Sequence, residues 1–289
     1  MDNLQLVLGA PMVDPEEEAF VVFSQAIPSL PLGAIDSNAS ELVITVQDKD
    51  LTIRQSRGLL TSNRKQGTTG AVVWSVTPLF ADFIASRNFL TEAGYLGPTS
   101  IAIELGAGVS GIVALSLGPK IKKYIATDQD YVIRMLKQNI VENLSTVFAH
   151  NAKQKSKKKL ANGSTQSSPN IDTLELDWEL DSIAHLPSVL GLDDGQGMDV
   201  VIACDCIYNE ALIEPLNTTC AQLCRLRTLG PQGNPTLCLV AQQLRSPDVF
   251  ESWLKSFHRL FHTWQVPDEL LTEALRENSG FIVYVGIVR

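Results

Sequence analysis

A group of glycines follows an apolar segment and is preceded by one acidic residue. The segment reads Glu104-Leu105-Gly106-Ala107-Gly108, and Gly111 completes the spacing G-x-G-x-x-G. Glycines at a turn between a strand and a helix let the backbone approach a ligand closely, and amides at a helix start suit polar or anionic groups. This spacing is typical of dinucleotide-binding turns, so a NAD-dependent oxidoreductase is one candidate.

Two acids near this turn refine the prediction. Asp128 ends the next predicted strand, where a carboxylate can accept hydrogen bonds from both ribose hydroxyls; the alternative is that it caps the following helix. Glu104 lies within an otherwise apolar strand, and a buried acid needs a partner. The strand before a NAD site is usually apolar throughout, so Glu104 argues against the oxidoreductase.

A second pair of polar residues ends another buried strand. MDVVIACDCIY at 198–208 is apolar until Asp205, and Tyr208 follows three residues later. A buried carboxylate is costly, so we expect Asp205 to have a functional role. Tyrosine is common at strand ends, so the residue type of Tyr208 alone does not indicate a function. On residue type alone, Trp74 and Trp178 are expected in the core.

The elements that must position these residues alternate between strand and helix. Residues 99–108 and 122–128 have the pattern of short apolar strands, and residues 109–118 and 131–144 have the pattern of helices. This order predicts parallel strands joined by right-handed crossovers. Five more strands are predicted at 171–178, 198–208, 235–243, 263–266 and 281–288. Further helices are predicted at 72–90, 210–229 and 247–262.

The pattern therefore predicts an α/β fold. We expect a Rossmann-like, seven-stranded, mostly parallel sheet with helices on both faces and an antiparallel last strand. Residues 1–60 are expected to form an acidic N-terminal arm and a β-hairpin extension, with the hairpin at 41–56 turning at Asp48-Lys49-Asp50. Residues 61–289 would form the main domain, interrupted by a mobile, Lys- and Ser-rich insertion at 149–170.

Composition limits the class of protein. Hydrophobic residues make up 45% of the 289 residues, which excludes disorder as the main state. The net charge is −9, and residues 1–48 hold eight acids and no Lys, Arg or His. This acidic balance disfavours nucleic acid as a partner. No apolar run is long enough for a membrane span, and five cysteines without a C-x-x-C pair predict reduced thiols and no metal site.

Four motifs together resemble a known family. Glu104 before the glycines, with Asp128 downstream, resembles the seven-strand S-adenosylmethionine (AdoMet)-dependent methyltransferases. The segment 67–74, Leu176-Asp177-Trp178 and the D-x-x-Y motif Asp205-Cys206-Ile207-Tyr208 resemble the methyltransferase-like 21 group of family 16. The added hairpin and insertion are similar to those of its fungal ribosomal lysine methyltransferases.

The resemblance implies AdoMet as cofactor, S-adenosylhomocysteine (AdoHcy) as product, and a set of residues that contact the cofactor. They are Trp74, Glu104, Gly106, Ala107, Gly108, Asp128, Asp177, Trp178 and Cys204. The glycine loop would border the methionine end, and Glu104 would order the loop or hold the amine. Asp128 would bind the ribose, whereas Trp178 and Asp177 would contact the adenine. Trp74 would close the side near the sulfonium.

The resemblance also implies a protein lysine as the acceptor, with Asp205 and Tyr208 as catalytic residues. Free lysine has a pKa near ~10.4, so most of it is ammonium at neutral pH, whereas methyl transfer needs a free lone pair. Asp205 would attract and position the ammonium through a charge-assisted hydrogen bond. Tyr208 would add an aromatic side to the same channel. Alignment of nitrogen, methyl and sulfur would supply most of the rate.

The predicted function is AdoMet-dependent protein-lysine N-methylation. The expected partner is a basic protein, a ribosomal protein or a translation factor, to which the acidic arm would guide the enzyme. A cytoplasmic monomer is expected, with the nucleus as the alternative location and no membrane association. A non-catalytic AdoMet-binding interaction protein remains an alternative. A nucleic-acid methyltransferase is disfavoured because Asp-Cys-Ile-Tyr stands where a base-methylating enzyme has N-P-P-Y.

Overall fold

The structure is a computed structural model of the chain. It describes residues 2–28, 33–62, 67–155, 170–193, 195–227 and 233–289. The helices of these residues are α1 (Asp2–Leu8), α2 (Pro15–Phe23), α3 (Arg57–Leu60), α4 (Val76–Ala85), α5 (Phe89–Glu92), α6 (Ile112–Leu117), α7 (Asp130–Lys155), α8 (Leu186–Leu190), α9 (Ile213–Arg225) and α10 (Pro247–Leu260). Across the described ranges, no helix is both long and apolar enough to cross a bilayer.

The strands form a hairpin and a seven-stranded sheet. They are β1 (Glu41–Val46), β2 (Lys49–Arg54), β3 (Ile101–Leu105), β4 (Lys123–Asp128), β5 (Ile171–Glu175), β6 (Val200–Cys204), β7 (Leu237–Gln243), β8 (Phe261–Gln265) and β9 (Phe281–Val288). The large sheet has the order β5-β4-β3-β6-β7-β9-β8. Strands β3 to β7 are parallel, and β9 runs antiparallel to both β7 and β8. The predicted fold class is confirmed.

The strand order fixes where a ligand can bind. From β3 the chain builds β4 and β5 on one side, and β6 and β7 are then added on the other side. The chain leaves β3 toward one side of the sheet and leaves the adjacent β6 toward the other. The two loops therefore diverge, and a crevice opens between them at the carboxyl edge of the sheet. The turn after β3, Asp128 at the end of β4 and Asp205 after β6 all lie at this edge.

Helices cover both faces of the sheet, which explains why the central strands are apolar. Every residue of β3, β6 and β7 is buried. One hydrophobic cluster joins the sheet to α4, α6 and α7, and the other joins it to α8, α9 and α10. Parallel strands covered on both faces are apolar throughout, so Glu104 in β3 needs a specific partner.

The hairpin turns one residue earlier than predicted. The strand pairing ends at Val46 and Lys49, so Gln47 and Asp48 form the two-residue turn. Their φ angles are 52° and 56°, the left-handed values that a type I′ turn requires at both positions. This turn follows the right-handed twist of the two strands, whereas the predicted Asp48-Lys49-Asp50 turn would have shifted the register.

Two buried asparagines of α7 hold the hairpin against this helix. Asn139 accepts from the backbone N–H of Arg54 and donates to its carbonyl, both at 2.9 Å. Asn143 makes the same pair with Thr52, at 2.9 and 2.8 Å. Each asparagine thus makes the two backbone hydrogen bonds that a neighbouring strand would make at the edge of β2. Ile44 and Ile53 are buried in the same hydrophobic cluster as α7, so the hairpin is part of the core.

The N-terminal residues are more ordered than the predicted loose arm. Helix α2 packs against α10, with Ala19 and Val22 buried. The Tyr284 hydroxyl of β9 donates to Glu18 at 3.0 Å. The acids Glu16 to Glu18 occupy the first turn of α2, where Asp14 accepts from two backbone amides. Acidic side chains stabilise the start of a helix, so these acids have a structural role in addition to the predicted attraction of a basic protein.

Two other predicted segments have different limits in the structure. The apolar stretch 72–90 forms α4 and α5 rather than one helix, because Asn88 accepts from the amides of Leu90 and Thr91 and caps α5. Helix α7 extends to Lys155, so the first residues of the predicted insertion at 149–170 are helical. Residues 156–169, where most of that insertion would lie, are outside the described residues.

We expect Asn139→Ala to destabilise the fold by about 2–4 kcal/mol, because it removes partners from buried backbone groups. Asn139 bonds both backbone groups of Arg54 and the carbonyl of Val109. The neighbouring Gln138→Ala is the matched control: Gln138 is exposed and bonds Glu142, so a change within about 0.5 kcal/mol is expected. Urea unfolding measures both, and equal losses in the two variants would contradict the role given to Asn139.

Candidate active site

A single cavity brings the predicted site residues together at the carboxyl edge of the sheet. It encloses about 840 Å³ including its open mouth, a size that suits a small-molecule ligand. All the residues predicted to bind cofactor or act in catalysis line it: Trp74, Glu104, Gly106, Ala107, Gly108, Asp128, Asp177, Trp178, Cys204, Asp205 and Tyr208. Four motifs far apart in the sequence therefore contribute to one site.

The glycine loop after β3 needs its glycines for space and for backbone conformation. Gly106 and Gly108 have φ angles of 67° and 60°, in the left-handed region. A Cβ atom on Gly106 would lie 2.7 Å from Cys206 Sγ and 3.2 Å from Trp178 Cζ2. A side chain at Gly106 would therefore push into the base of the cavity as well as strain the backbone.

The loop is fastened to the end of β4. The Ala107 amide donates to the Thr127 carbonyl at 2.9 Å, and the Gly108 amide donates to Asp128 Oδ2 at 2.8 Å. These two amides were expected to face the ligand, but they hold the loop in place. The Gly108–Asp128 hydrogen bond couples the two loops that form the crevice.

Asp128 is a buried carboxylate held by the backbone. Its Oδ1 accepts from the Gln129 amide at 2.7 Å. Desolvation raises the pKa of Asp128 to about 6, although the amides of Gln129 and Gly108 act in the opposite direction. Helix α7 begins at Asp130, so Asp128 lies two residues before the helix, and its two oxygens accept from the Gly108 and Gln129 amides.

Glu104 has a specific partner on the neighbouring strand. The Tyr124 hydroxyl donates to Glu104 Oε2 at 2.8 Å, and the glutamate is 2% exposed. Desolvation raises the pKa of Glu104 to about 7, opposed by the Tyr124 hydrogen bond and reinforced by the charge of Asp128. The sequence indicated that Glu104 needed a partner. Tyr124 was missed because only the register of β3 and β4 places it there.

The loop after β5 forms the side of the cavity expected to contact adenine. The Trp178 ring lies against the Gly106 backbone, and Leu176 below it is buried. Asp177 is half-buried, and its Oδ1 accepts from the Glu179 amide at 2.9 Å. An apolar ring and a carboxylate with acceptor capacity are thus placed next to the glycine loop.

Trp74 is fixed on the opposite side. Its indole Nε1 donates to the Thr69 carbonyl at 3.0 Å, and its backbone pairs with Ala34 in an isolated bridge. The Arg245 guanidinium lies over the ring, with Cζ at 5.2 Å from the centroid. Cys204 lies deeper in the cavity, where burial and the charges of Glu104 and Asp205 raise its pKa well above the usual value.

Tyr208 stands at the mouth of the cavity. It is 42% exposed, and its hydroxyl shares a hydrogen bond with the Thr69 side chain. A Cβ atom on Gly67 would lie 3.7 Å from the Tyr208 hydroxyl oxygen. The D-x-x-Y motif and the segment that starts at Gly67 therefore meet here, although they are far apart in sequence.

The surroundings of Asp205 differ from those expected of an open carboxylate. Arg245 Nη1 and Nη2 donate to its two oxygens at 2.7 and 2.6 Å. The Asp205 side chain is 1% exposed. Its direct role toward a substrate ammonium stays a prediction, but the carboxylate already has a cationic partner. Arg245 was not identified from the sequence because it follows β7, outside every motif.

The rest of the cavity lining is a mixture of small, polar and apolar residues. These are Thr69, Gly70, Val72, Thr77, Ser110, Gln129, Tyr131, Leu176, Glu179, Cys206 and Leu212. Within the parts of the chain that the structure describes, no three His, Cys, Asp or Glu side chains are grouped so as to hold a metal ion.

Comparison with known proteins identifies related sequences. A family model described as "Lysine methyltransferase" matches residues 53–246, more than half of the chain. The chain is 31% identical over 235 residues to the Ribosomal lysine N-methyltransferase 5 of Zygosaccharomyces rouxii, covering 73% of this chain and 71% of that protein. It is 28% identical over 299 residues to the protein of the same name from Vanderwaltozyma polyspora, covering 88% and 90%.

Solved methyltransferases are distant structural neighbours. One of them is the N-methyltransferase NodS of Bradyrhizobium japonicum in complex with S-adenosylhomocysteine. Its TM-score is 0.37 and its sequence identity 12%, over 69% of this chain and 81% of that chain.

The raised pKa of Glu104 gives a testable pH dependence. Because it rises from 4.5 to about 7 on folding, its contribution to stability is complete below about pH 4.5 and is lost as pH rises through about 7. Glu104→Gln does not titrate, so the variant should gain stability relative to wild type between pH 5 and 8, by up to about 3 kcal/mol.

Urea unfolding at several pH values measures this difference. The exposed Glu175→Gln at the end of β5 is the control, expected to stay within about 0.5 kcal/mol of wild type at each pH. A Glu104→Gln difference that is the same at pH 5 and pH 8 would contradict the burial cost assigned to this carboxylate.

Proposed function

The chain belongs to the lysine methyltransferase family, and from this we propose that it transfers a methyl group from AdoMet to a lysine ε-amine of a ribosomal protein. The observation that carries the proposal is the meeting of the glycine loop, Asp128 and the D-x-x-Y motif around one cavity. The two fungal relatives described above are named for ribosomal lysine methylation, which supports the choice of substrate class.

The cavity residues fit the cofactor. AdoMet supplies the methyl group as an electrophile bound to a positively charged sulfur. A side chain at Gly106 would press on Cys206 and Trp178, which both line the cavity, so the glycine keeps the shape of the cavity beside the Trp178 ring. Asp128 keeps acceptor capacity for ribose hydroxyls, and Asp177 keeps it for an exocyclic amine. Glu104, whose burial disfavours its charged form, would gain from a cationic amine nearby.

The chain's part in methyl transfer is to orient the acceptor and to exclude water. The lysine nitrogen forms a bond to the methyl carbon as the carbon–sulfur bond breaks, and the sulfur keeps the bonding electrons. The nitrogen must therefore arrive without its third proton, and the product is a methylammonium that carries the positive charge formerly on the sulfur. Trp74 and Tyr208 form aromatic sides that can confine the lysine stem. This positioning accounts for most of the expected acceleration.

Charge supports a basic protein as the partner. The chain has a net charge of −9, and eight of its acids lie within residues 1–48. Glu16 forms an ion pair with Lys255 at 2.6 Å, whereas Glu17 is exposed. Ribosomal proteins are basic, so attraction at long range would increase their rate of encounter. A cytoplasmic site of action and a monomeric enzyme are part of this proposal.

Asp128→Ala tests the cofactor site. It removes the ribose acceptor and the Gly108 hydrogen bond, so AdoHcy should bind about 10- to 100-fold more weakly by isothermal titration calorimetry. Asp130→Asn is the matched control, because Asp130 is exposed and does not line the cavity. Its affinity for AdoHcy should equal that of wild type. Equal affinities in Asp128→Ala and Asp130→Asn would contradict the assignment, as would tight NADH binding without AdoHcy binding.

Transfer itself is tested with methyl-labelled AdoMet. The acceptor is salt-washed ribosomes from Saccharomyces cerevisiae lacking its own Ribosomal lysine N-methyltransferase 5. We expect label in a ribosomal protein, located on a lysine by mass spectrometry, and little label with Asp128→Ala. AdoHcy binding without any transfer would favour the non-catalytic alternative, and label in rRNA would contradict the protein substrate.

A further inference from the structure

We propose that Arg245 is a positioning residue that keeps Asp205 in a closed ion pair, so that the acceptor end of the cavity selects a neutral amine over an ammonium. The inference rests on the proposed function, since the amine is that of the substrate lysine. It gives Asp205 a different task from the expected one: it holds a protein cation and does not itself attract the substrate cation.

The ion pair uses most of the acceptor capacity of Asp205. Arg245 donates to both oxygens in a bidentate pair, and the Gln243 amide donates to Oδ1 at 3.3 Å. A carboxylate offers about four acceptor positions, so three are taken. Arg245 Nη2 also donates to Gln243 Oε1 at 3.0 Å. Bidentate arginine pairs are strong and fixed in geometry, so the carboxylate is not free to turn toward a second cation.

The backbone also holds Asp205 in this orientation. Its φ angle is 58°, in the left-handed region that few residues other than glycine adopt. Its amide donates to the Ala241 carbonyl at 2.7 Å, which ties the residue after β6 to β7. A backbone conformation that costs about 1 kcal/mol persists when surrounding contacts determine it, and such sites cluster where function needs a fixed group.

Arg245 acts from behind the cavity lining. Trp74 and Asp205 line the cavity, whereas Arg245 is not among the lining residues and lies over the Trp74 ring. The chain also passes close to Arg245 at Gly33, where an added Cβ atom would meet the guanidinium. The Arg245 side chain, which is 25% exposed, is thus held by Asp205, Trp74 and the segment at Gly33, and its charge neutralises that of Asp205.

The other ionisable groups of the cavity also contribute to the charge at that end, since the charge of Asp128 raises the pKa of Tyr208. The groups that line it are Glu104, Asp128, Tyr131, Asp177, Glu179, Cys204, Asp205, Cys206 and Tyr208. The four remaining carboxylates lie on β3, at the end of β4 or on the loop after β5. Burial raises the pKa of both thiols well above the usual value, so Cys204 and Cys206 are neutral. Among the described residues, Asp205 is thus the carboxylate nearest the D-x-x-Y end, and it is compensated.

This arrangement favours the reactive form of the substrate. An unpaired carboxylate would bind the lysine ammonium well but would raise its pKa and hold the proton on the nitrogen. A compensated pair gives the ammonium no net attraction, while desolvation at this buried position disfavours its charged form. The lysine pKa in the bound complex should therefore fall below its value in water, which increases the fraction with a free lone pair.

The test is the pH profile of kcat for transfer from labelled AdoMet to the salt-washed yeast ribosomes, from pH 6.5 to 9.5. In Arg245→Met the freed Asp205 should raise the lysine pKa by about one unit, which lowers kcat about tenfold near pH 7 and much less at pH 9.5. KM for ribosomes should stay equal or fall. In the double variant Asp205→Asn/Arg245→Met the profile should return to the wild-type midpoint. Arg259→Met is the control, because Arg259 pairs with Glu214 on the exposed face of α10.

A structural role alone would give other results. A loss in Arg245→Met of the same factor at every pH, or a double variant with the midpoint of Arg245→Met, would overturn the inference. AdoHcy titration verifies that the variants are folded. Should Arg245→Met fail to bind AdoHcy, Asp205→Asn decides the question, since asparagine tolerates a positive φ. Its uncompensated Arg245 should move the midpoint of kcat to lower pH, and an unmoved midpoint would overturn the inference. Wild-type protein that transfers no label would overturn the proposed function itself.

Discussion

The site depends on one hydrogen bond, from the Gly108 amide to the Asp128 carboxylate. Parallel strands place the ends of β3 and β4 side by side, and this contact, with the adjacent Ala107–Thr127 bond, ties the loop after β3 to the end of β4. Positive φ angles at the glycines make the close approach possible. The same carboxylate thus organises the loop and presents acceptor positions to the cavity, so the shape and the polarity of the crevice are set together.

Three buried carboxylates surround the cavity, and each is stabilised in a different way. Glu104 has one tyrosine hydroxyl, Asp128 has two backbone amides, and Asp205 has a bidentate arginine. Neutral donors do not offset desolvation fully, which is why the pKa values of Glu104 and Asp128 are raised. These two would gain from the positive groups of AdoMet, whereas Asp205 would not. The end of the cavity near Glu104 and Asp128 therefore suits a positively charged group of the cofactor. At the proposed acceptor end, the charge of Asp205 is already neutralised by Arg245.

Much of this could be predicted from the sequence because the signals are local. Alternation of apolar strands and helices gave the fold class, and short motifs at strand ends gave the cavity residues. Contacts between distant segments could not be predicted. Tyr124 contacts Glu104 because of the register between β3 and β4. Arg245, which follows β7, pairs with Asp205, which follows the neighbouring β6. Asn139 makes the hydrogen bonds that a neighbouring strand would make to β2. The packing of α2 was not predicted, because the sequence indicated only an acidic arm, whereas Ala19 and Val22 of this helix are buried.

The most direct test of the account is a crystal structure of the protein with AdoHcy. The account predicts the nucleoside between the glycine loop and the loop after β5, with the ribose hydroxyls on Asp128, the adenine beside Trp178 and the Gly108–Asp128 hydrogen bond intact. A nucleoside bound elsewhere, or an Asp128 carboxylate turned away from the ribose, would contradict it.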